Sequence, residues 1–318
     1  MEMGNMTSIT EILLLGFVYD PALEIVLFLV FLLVYIVTVL GNALIILLIT
    51  IDSRLHSPMY FFLSNLSFIE IFMTTCVVPK MLANFLTKRK TISLGGCFAQ
   101  SYFYFFMGST EFILFAAMSF DRYMAICYPL RYPTLMTGTV CVKMVIGSWI
   151  CGFLFVFLST VLKVRLPYCG PNVINHYFCD SAPLLHLACT DISLIELIDF
   201  VSSLILLLGS LSFTATSYVY IISTILKIPS AQGRKKAFAT CASHFTVVSM
   251  GYGISIFVYV RPSQTDIMSM NKALAIFSGI LTPLLNPFIF SLRNEQMKEA
   301  LRDVLKGIAS ENKRWLIS

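Results

Sequence analysis

The stretch IVLFLVFLLVYIVTVLGNALIILLITI, residues 25 to 51, contains no Asp, Glu, Lys or Arg. A helix over it, rising 1.5 Å per residue, is about 40 Å long, more than the roughly 30 Å of hydrocarbon in a bilayer. A helix satisfies its own backbone N–H and C=O groups in that medium, so the stretch predicts a membrane span. The pattern recurs along the chain. Pro58 to Pro79 carries only Glu70 as a charge, Cys97 to Phe120 only Glu111, and Met144 to Leu162 and Phe200 to Leu226 none. Ala237 to Val260 holds one histidine, His244, and Ala273 to Leu292 no charged side chain. The expected fold class is therefore an all-α membrane protein, a seven-transmembrane helix bundle. Composition agrees, with 58% hydrophobic and 12% charged residues against roughly 25% charged in soluble domains. The lipid bilayer is the first partner implied, and no nucleic-acid partner is expected.

Loop charges orient the bundle. Residues 1 to 24 hold Glu2, Glu11, Asp20 and Glu24 and no Lys or Arg, which places this tail outside by the positive-inside bias. Seven spans then put the C-terminus in the cytoplasm. Lys88, Arg89 and Lys90 run against the bias between spans two and three, but the rule sums over loops. The expected division is an extracellular tail over 1–24, a seven-span domain over 25–292 and a cytoplasmic tail over 293–318, at the plasma membrane. No basic region precedes a short apolar stretch at the start, so no cleavable signal peptide is expected. Asn5 opens an Asn-Met-Thr glycosylation sequon on the outer tail. Past Leu292, Met297, Ala300, Leu301, Val304, Leu305 and Ile308 recur at helical spacing with Lys298, Arg302 and Lys306 elsewhere, predicting a short amphipathic helix on the inner leaflet.

Of nine cysteines, Cys97, Cys169, Cys179 and Cys189 fall on the outer, oxidising side. They allow three pairings, and spacing does not choose among them. His176, Cys179 and Asp180 also admit a metal reading, which a disulfide at Cys179 would remove.

Steps of three or four from Cys97 reach Ser101, Tyr104, Gly108, Glu111, Phe115, Met118 and Arg122, so one face of span three gathers most of its polar residues. Such a face points into the bundle and joins its outer and inner ends. At the inner end stands Asp121-Arg122-Tyr123, and the last span carries Asn286-Pro287, whose proline interrupts the backbone ladder. Glu70 and Glu111 are costly in a span and mark a pathway, a partner or an ion; one or both protonated and hydrogen-bonded is the plainer alternative.

Asp121-Arg122-Tyr123 with Asn286-Pro287 resembles the rhodopsin-like G protein-coupled receptors. The likeness narrows with Gly41-Asn42, the run from Leu55 to Ser64 (LHSPMYFFLS), Met118 to Cys127 (MSFDRYMAIC), Ser217-Tyr218, Lys236 to His244 (KAFATCASH) and Pro283 to Pro287 (PLLNP). These stand in the order and places of the vertebrate olfactory receptor signatures. The chain is identified as resembling that family from its first span to its last. The resemblance implies a small, mostly apolar volatile ligand, a heterotrimeric G protein of the stimulatory olfactory type, and a rise in cAMP in the perception of smell. It implies disulfides Cys97–Cys179 and Cys169–Cys189. It gives Asp121, Arg122, Tyr123, Tyr218, Lys236, His244, Asn286 and Pro287 to activation and coupling. It also favours Na⁺ or another hard cation at Glu70, Glu111 and Asn286. The pocket it implies is lined by Tyr104, Phe105, Gly108 and Ser109 on span three, Ser202 and Leu206 on span five, and Tyr252, Ser255 and Tyr259 on span six. Tyr104 stands where amine receptors carry an aspartate, so a neutral ligand is expected.

Three positions depart from the family pattern: Phe290 where tyrosine is usual, Glu70 where aspartate is common, and Ala239 where serine is. An opsin would need a lysine inside span seven, but Lys272 lies at its outer mouth. No nucleophile with its base and no His-Glu-x-x-His set is present, so an enzyme is not expected. An ion channel or transporter is the alternative function, although no internal repeat supports it.

Overall fold

The computed structural model describes residues 9–17, 20–169, 171–259, 268–292 and 294–315. Among these, six helices are long and apolar enough to cross a membrane. They are spans one (Pro21–Ile51), two (Pro58–Leu86), three (Leu94–Cys127), four (Gly138–Val164), five (Ser193–Leu226) and seven. Span six, Ala231–Tyr259, is the seventh helical region and packs against spans three, five and seven. The seven-helix bundle is thus the fold observed. Inner and outer below follow the sides that the loop charges assign.

Helix starts follow local chemistry. Proline occupies the first turn of spans one and two, where its missing N–H costs nothing. Ser93 Oγ accepts from Gly96 N at 3.1 Å to cap span three, and Thr137 caps span four through Val140 N. Span five begins before the charge-free run because Asp199 finds Lys163 of span four at 2.6 Å. Ser159 of span four also donates to Asp199. Paired in this way, the carboxylate can sit on a helix end that periodicity alone assigns to a loop.

Span three is the central helix, packed along spans two, four and five. Its crossing with span four is close: a Cβ at Gly152 would lie 2.2 Å from Thr110 Oγ1. Spans one and seven meet at Gly41, where a Cβ would come within 3.3 Å of Pro287. Ile25, Leu29, Leu33, Leu40 and Leu47 of span one are all exposed, as a lipid-facing side requires. Span seven is composite, with Met268–Ile276, a π-helical turn Phe277–Leu281, and Thr282–Leu292. Thr282 Oγ1 closes that wide turn on Phe277 O at 2.9 Å.

Part of the expected outer tail is ordered against the bundle. Strand β1 (Glu11–Leu14) pairs antiparallel with β2 (Thr91–Ser93) and parallel with β3 (Val173–Ile174). Its alternate residues Ile12 and Leu14 are fully buried against Tyr168, Ile174, Leu184 and Leu187. At the other end a C-terminal helix, Glu295–Trp315, buries Met297 and Ala300 and packs Leu301 and Val304 on the core, leaving Leu305 exposed.

Candidate functional site

At the inner end of span three, Arg122 is only 7% exposed. Its Nη2 and Nε donate to Asp121 Oδ2 at 2.6 and 3.1 Å. The other Asp121 oxygen accepts from the Tyr132 hydroxyl at 2.7 Å. A buried ion pair stands only if its remaining lone pairs are met, and Tyr132 meets one. It lies on the short helix Tyr132–Leu135 after span three. Burial, with the Asp121 charge beside it, pushes its phenol up, so it stays a donor. Met59, Met118, Asp121, Arg122 and His244 line a small cleft there. His244 Nδ1 pairs with the Tyr218 hydroxyl and the two rings stack at 5.8 Å. Spans three, five and six therefore close over Arg122, and a protein reaching the guanidinium needs their inner ends to part. Tyr123 packs against the cluster of Tyr218, Ile221, Ile225 and Cys241. The backbone of Lys236 is in span six, but its side chain lies outside the described residues, as does the whole of Asn5.

One layer outward, Glu70 is 1% exposed and accepts from Asn286 Nδ2. Asn42 Nδ2 donates to Thr38 O and Pro283 O, both at 3.1 Å. That leaves Asn42 Oδ1, Glu70 Oε2 and Asn286 Oδ1 buried without a donor among the described residues. Three unpaired acceptor oxygens are a donor set of the hard-oxygen kind that suits an alkali or alkaline-earth cation, and Glu111 of span three is buried as well. Phe290 is 2% exposed in the core. Beneath it, the Tyr60 hydroxyl reaches Asn294 Oδ1 at 3.0 Å and Gln296 Oε1 at 2.9 Å, tying span two to the start of the C-terminal helix.

In the outer half, the Tyr104 ring lies 4.8 Å from Phe178 of the second outer loop and 5.4 Å from Phe105. The π-helical turn presents Gly279 to it, where a Cβ would stand 2.9 Å from the Tyr104 hydroxyl. At Gly108 no heavy atom lies within 4 Å of a Cβ position, so span three leaves space one turn below Tyr104. Ser109 and Ser255 are buried, while Ser202 and Leu206 are partly buried on span five. Tyr252 sits between Phe112 at 5.1 Å and Phe115 at 6.3 Å, its hydroxyl on Phe112 O at 3.5 Å. Next to it, Gly251 brings span six so close that a Cβ would touch Phe115 at 3.0 Å. The Tyr259 side chain lies outside the described residues.

The second outer loop roofs this region. Cys97 is bonded to Cys179 and Cys169 to Cys189, with Cα separations of 5.3 and 5.8 Å. This pairing removes the metal reading of His176, Cys179 and Asp180, because the thiolate is spent. Gln100, which no motif singled out, reinforces the first bond, accepting from Cys179 N at 3.0 Å and donating to Cys76 O at 2.9 Å. His176 is 3% exposed and neither ring nitrogen has a partner among the described residues. Burial, then the charge of Lys272, pulls it down to about 3, so it stays neutral between Tyr177 and Phe178. Burial pushes Asp180 up to about 6 against the pull of Ser181 N and Lys163.

A family model described as olfactory receptor matches residues 31–307. Human olfactory receptor 6J1 is 50% identical, covering 99% of this chain and 92% of its own length. Human olfactory receptor 6T1 is 52% identical over 96% and 94%, and mouse olfactory receptor 6E1 50% over 95% and 96%. Nothing in these relatives favours a channel or a transporter. With seven helices around a polar axis and matches of this extent, the chain belongs to the olfactory receptor family and is an odorant receptor in the membrane, not an enzyme.

Proposed function

We propose that this receptor binds a small, volatile, mostly apolar and neutral odorant in the outer half of the bundle and activates a stimulatory, olfactory-type G protein, raising cAMP. The observation that carries this reading is the span-three face that joins Tyr104 under the second outer loop to Arg122 in its buried pair with Asp121. The ligand lining is Tyr104, Phe105, Gly108, Ser109, Ser202, Leu206, Tyr252, Ser255 and Tyr259, mostly apolar with a few hydroxyls, so burial supplies most of the affinity. Orientation follows the loop charges: residues 1–24 are extracellular with Asn5 glycosylated, and 293–318 form a cytoplasmic tail at the plasma membrane. An odorant panel on cells expressing the chain, read as cAMP, identifies an agonist. Arg122→Ala should then reach the surface and lose the response, and a full-amplitude response from that variant would show that Arg122 does not couple. Bulky substitution at Gly108 should abolish potency, whereas unchanged potency there and after truncating Tyr104 places the pocket elsewhere.

Glu70, Asn286 and Asn42, together with the buried Glu111, would hold a Na⁺ or similar hard cation. Such an ion would neutralise a buried carboxylate that Asn286 alone leaves half satisfied. If the site is built for it, replacing Na⁺ by a bulky organic cation lowers the unfolding midpoint of the wild type and not of Glu70→Gln.

A further inference from the structure

At the outer end, away from the span-three face, a cavity of about 10 Å³ is walled by Phe17, Met81, Asn84, Phe85, Lys90 and Tyr177. It has room for about one water molecule. Asn84 is 7% exposed, and its Oδ1, on this wall, has no donor among the described residues. The Phe17 ring stands 5.7 Å from Tyr177, 6.1 Å from Phe31 and 6.2 Å from Phe85, with planes inclined by 12°, 17° and 7°. Those three rings come from the second outer loop and spans one and two, so they form a slot, and Phe17 is a ring inserted into it from the segment after β1. The segment is aimed by Gly16, which takes φ +59°, a left-handed turn suited to glycine. Gly16 O accepts from Lys272 Nζ at 2.8 Å, and Gly16 N donates to His176 O at 3.1 Å. At the rim Lys90 pairs with Glu24, so the mouth presents no free charge from that lysine.

We propose that this cavity is an accessory binding site for a small neutral aromatic molecule carrying one hydrogen-bond donor, a site that the chain fills with the ring of its own Phe17. A phenol matches both halves of the chemistry: its ring takes the slot between Phe31, Phe85 and Tyr177, and its hydroxyl donates to Asn84 Oδ1. With Phe17 withdrawn, the apolar ring-sized space it leaves binds aromatic molecules rather than filling with water, and the unpaired acceptor at its edge selects for the donor. Because Phe17 follows β1 and Gly16, which stay paired, the bound molecule displaces the Phe17 ring alone.

Thermal unfolding of the purified receptor in lipid nanodiscs, titrated with phenol and with toluene, tests this. Phe17→Ala should lower the midpoint, and phenol should restore it saturably at a concentration about tenfold below that of toluene. In Phe17→Ala with Asn84→Leu that preference should vanish while toluene still acts. Wild type should need at least about tenfold more phenol, since its own ring must first leave. The proposal is overturned if phenol has no saturable effect on Phe17→Ala, acts equally on wild type, or keeps its advantage over toluene after Asn84→Leu. Should Phe17→Ala not fold, Phe17→Leu opens a smaller space and is titrated in the same way, with the same result overturning the site. No odorant, G protein or cAMP enters the measurement, so its failure leaves the receptor reading untouched.

Discussion

Gly152 belongs to no motif, yet it sets how close spans three and four can come. A Cβ there would stand 2.2 Å from Thr110 Oγ1 and 2.9 Å from Thr110 N. That hydroxyl is already committed to Phe106 O at 2.9 Å, and the backbone nitrogen cannot move without the helix. We expect Gly152→Ala to destabilise the receptor by about 1 to 3 kcal/mol, as overpacking does. Gly147→Ala on the same helix meets nothing within 4 Å and should be neutral or slightly stabilising. Equal unfolding midpoints for the two variants would remove the close-crossing argument. His176 makes a different residue-scale prediction. Its folded value of about 3 lies below the ordinary 6.5, so the unfolded chain takes up the proton first and stability falls as pH drops from about 6.5 toward 3. The slope is about 1.4 kcal/mol per pH unit at most. Asp180, raised from 3.8 to about 6, bends the profile the other way: its contribution is whole below 3.8 and lost as pH rises through 6. His176→Phe compared with wild type at each pH cancels the Asp180 effect: left with Asp180, the variant should gain in midpoint from pH 7 to 5, and wild type should fall progressively behind it. Parallel curves would mean that the histidine is protonated in the fold.

The elements differ in what fixes them, and therefore in how plainly the sequence announces them. A span is written as a long charge-free run because hydrocarbon tolerates nothing else, so all seven helices were legible from composition along the chain. Where the determinants are a few side chains meeting across loops, the sequence is silent. The strand Glu11–Leu14 is four residues long and is defined by partners at Thr91–Ser93 and Val173–Ile174, so no local pattern distinguishes it from a tail. Asp199 and the π-helical turn at Phe277 are equally invisible. At the candidate site, Asp121 and Arg122 were legible as neighbours, but Tyr132 and Gln100 act through folded-back chain that spacing does not encode. The C-terminal helix allows a test of which contact holds an element. Arg54 reaches Asp303 at 2.8 Å, but their side chains are 46% and 56% exposed, so water screens the pair and Arg54→Ala should change little. Met297 is fully buried in the core, and Met297→Ala should cost about 2 to 5 kcal/mol. Hydrogen exchange over residues 295–306 should therefore accelerate strongly in Met297→Ala and barely in Arg54→Ala. The reverse order would make the ion pair the anchor.

At the scale of the whole molecule, the inner half holds a closed arrangement through three contacts on different spans: Arg122 with Asp121 and Tyr132, Tyr218 with His244, and Phe290 in the apolar core. If coupling runs through Arg122 as proposed, these spans must part, and the resting population is then set by what each contact is worth closed against open. Phe290 lacks the hydroxyl that the family pattern carries there. In the closed form Phe290→Tyr puts a hydroxyl where the side chain is 2% exposed, costing about 1 to 3 kcal/mol if it goes unpaired. An open form that gave this hydroxyl water or a polar partner would lift the cost. Each 1.4 kcal/mol so transferred multiplies the open fraction about tenfold, so Phe290→Tyr should raise cAMP in the absence of ligand. His244→Phe should act in the same direction by another route: it preserves a ring to stack on Tyr218 but removes the nitrogen that its hydroxyl uses at rest. Adding Arg122→Ala to either variant should return basal cAMP to the level of untransfected cells, which separates receptor activity from a change in expression. If both single variants leave basal cAMP unchanged at equal surface density, the closed contacts at Tyr218 and Phe290 do not set the resting balance, and the pair between Arg122 and Asp121 sets it alone.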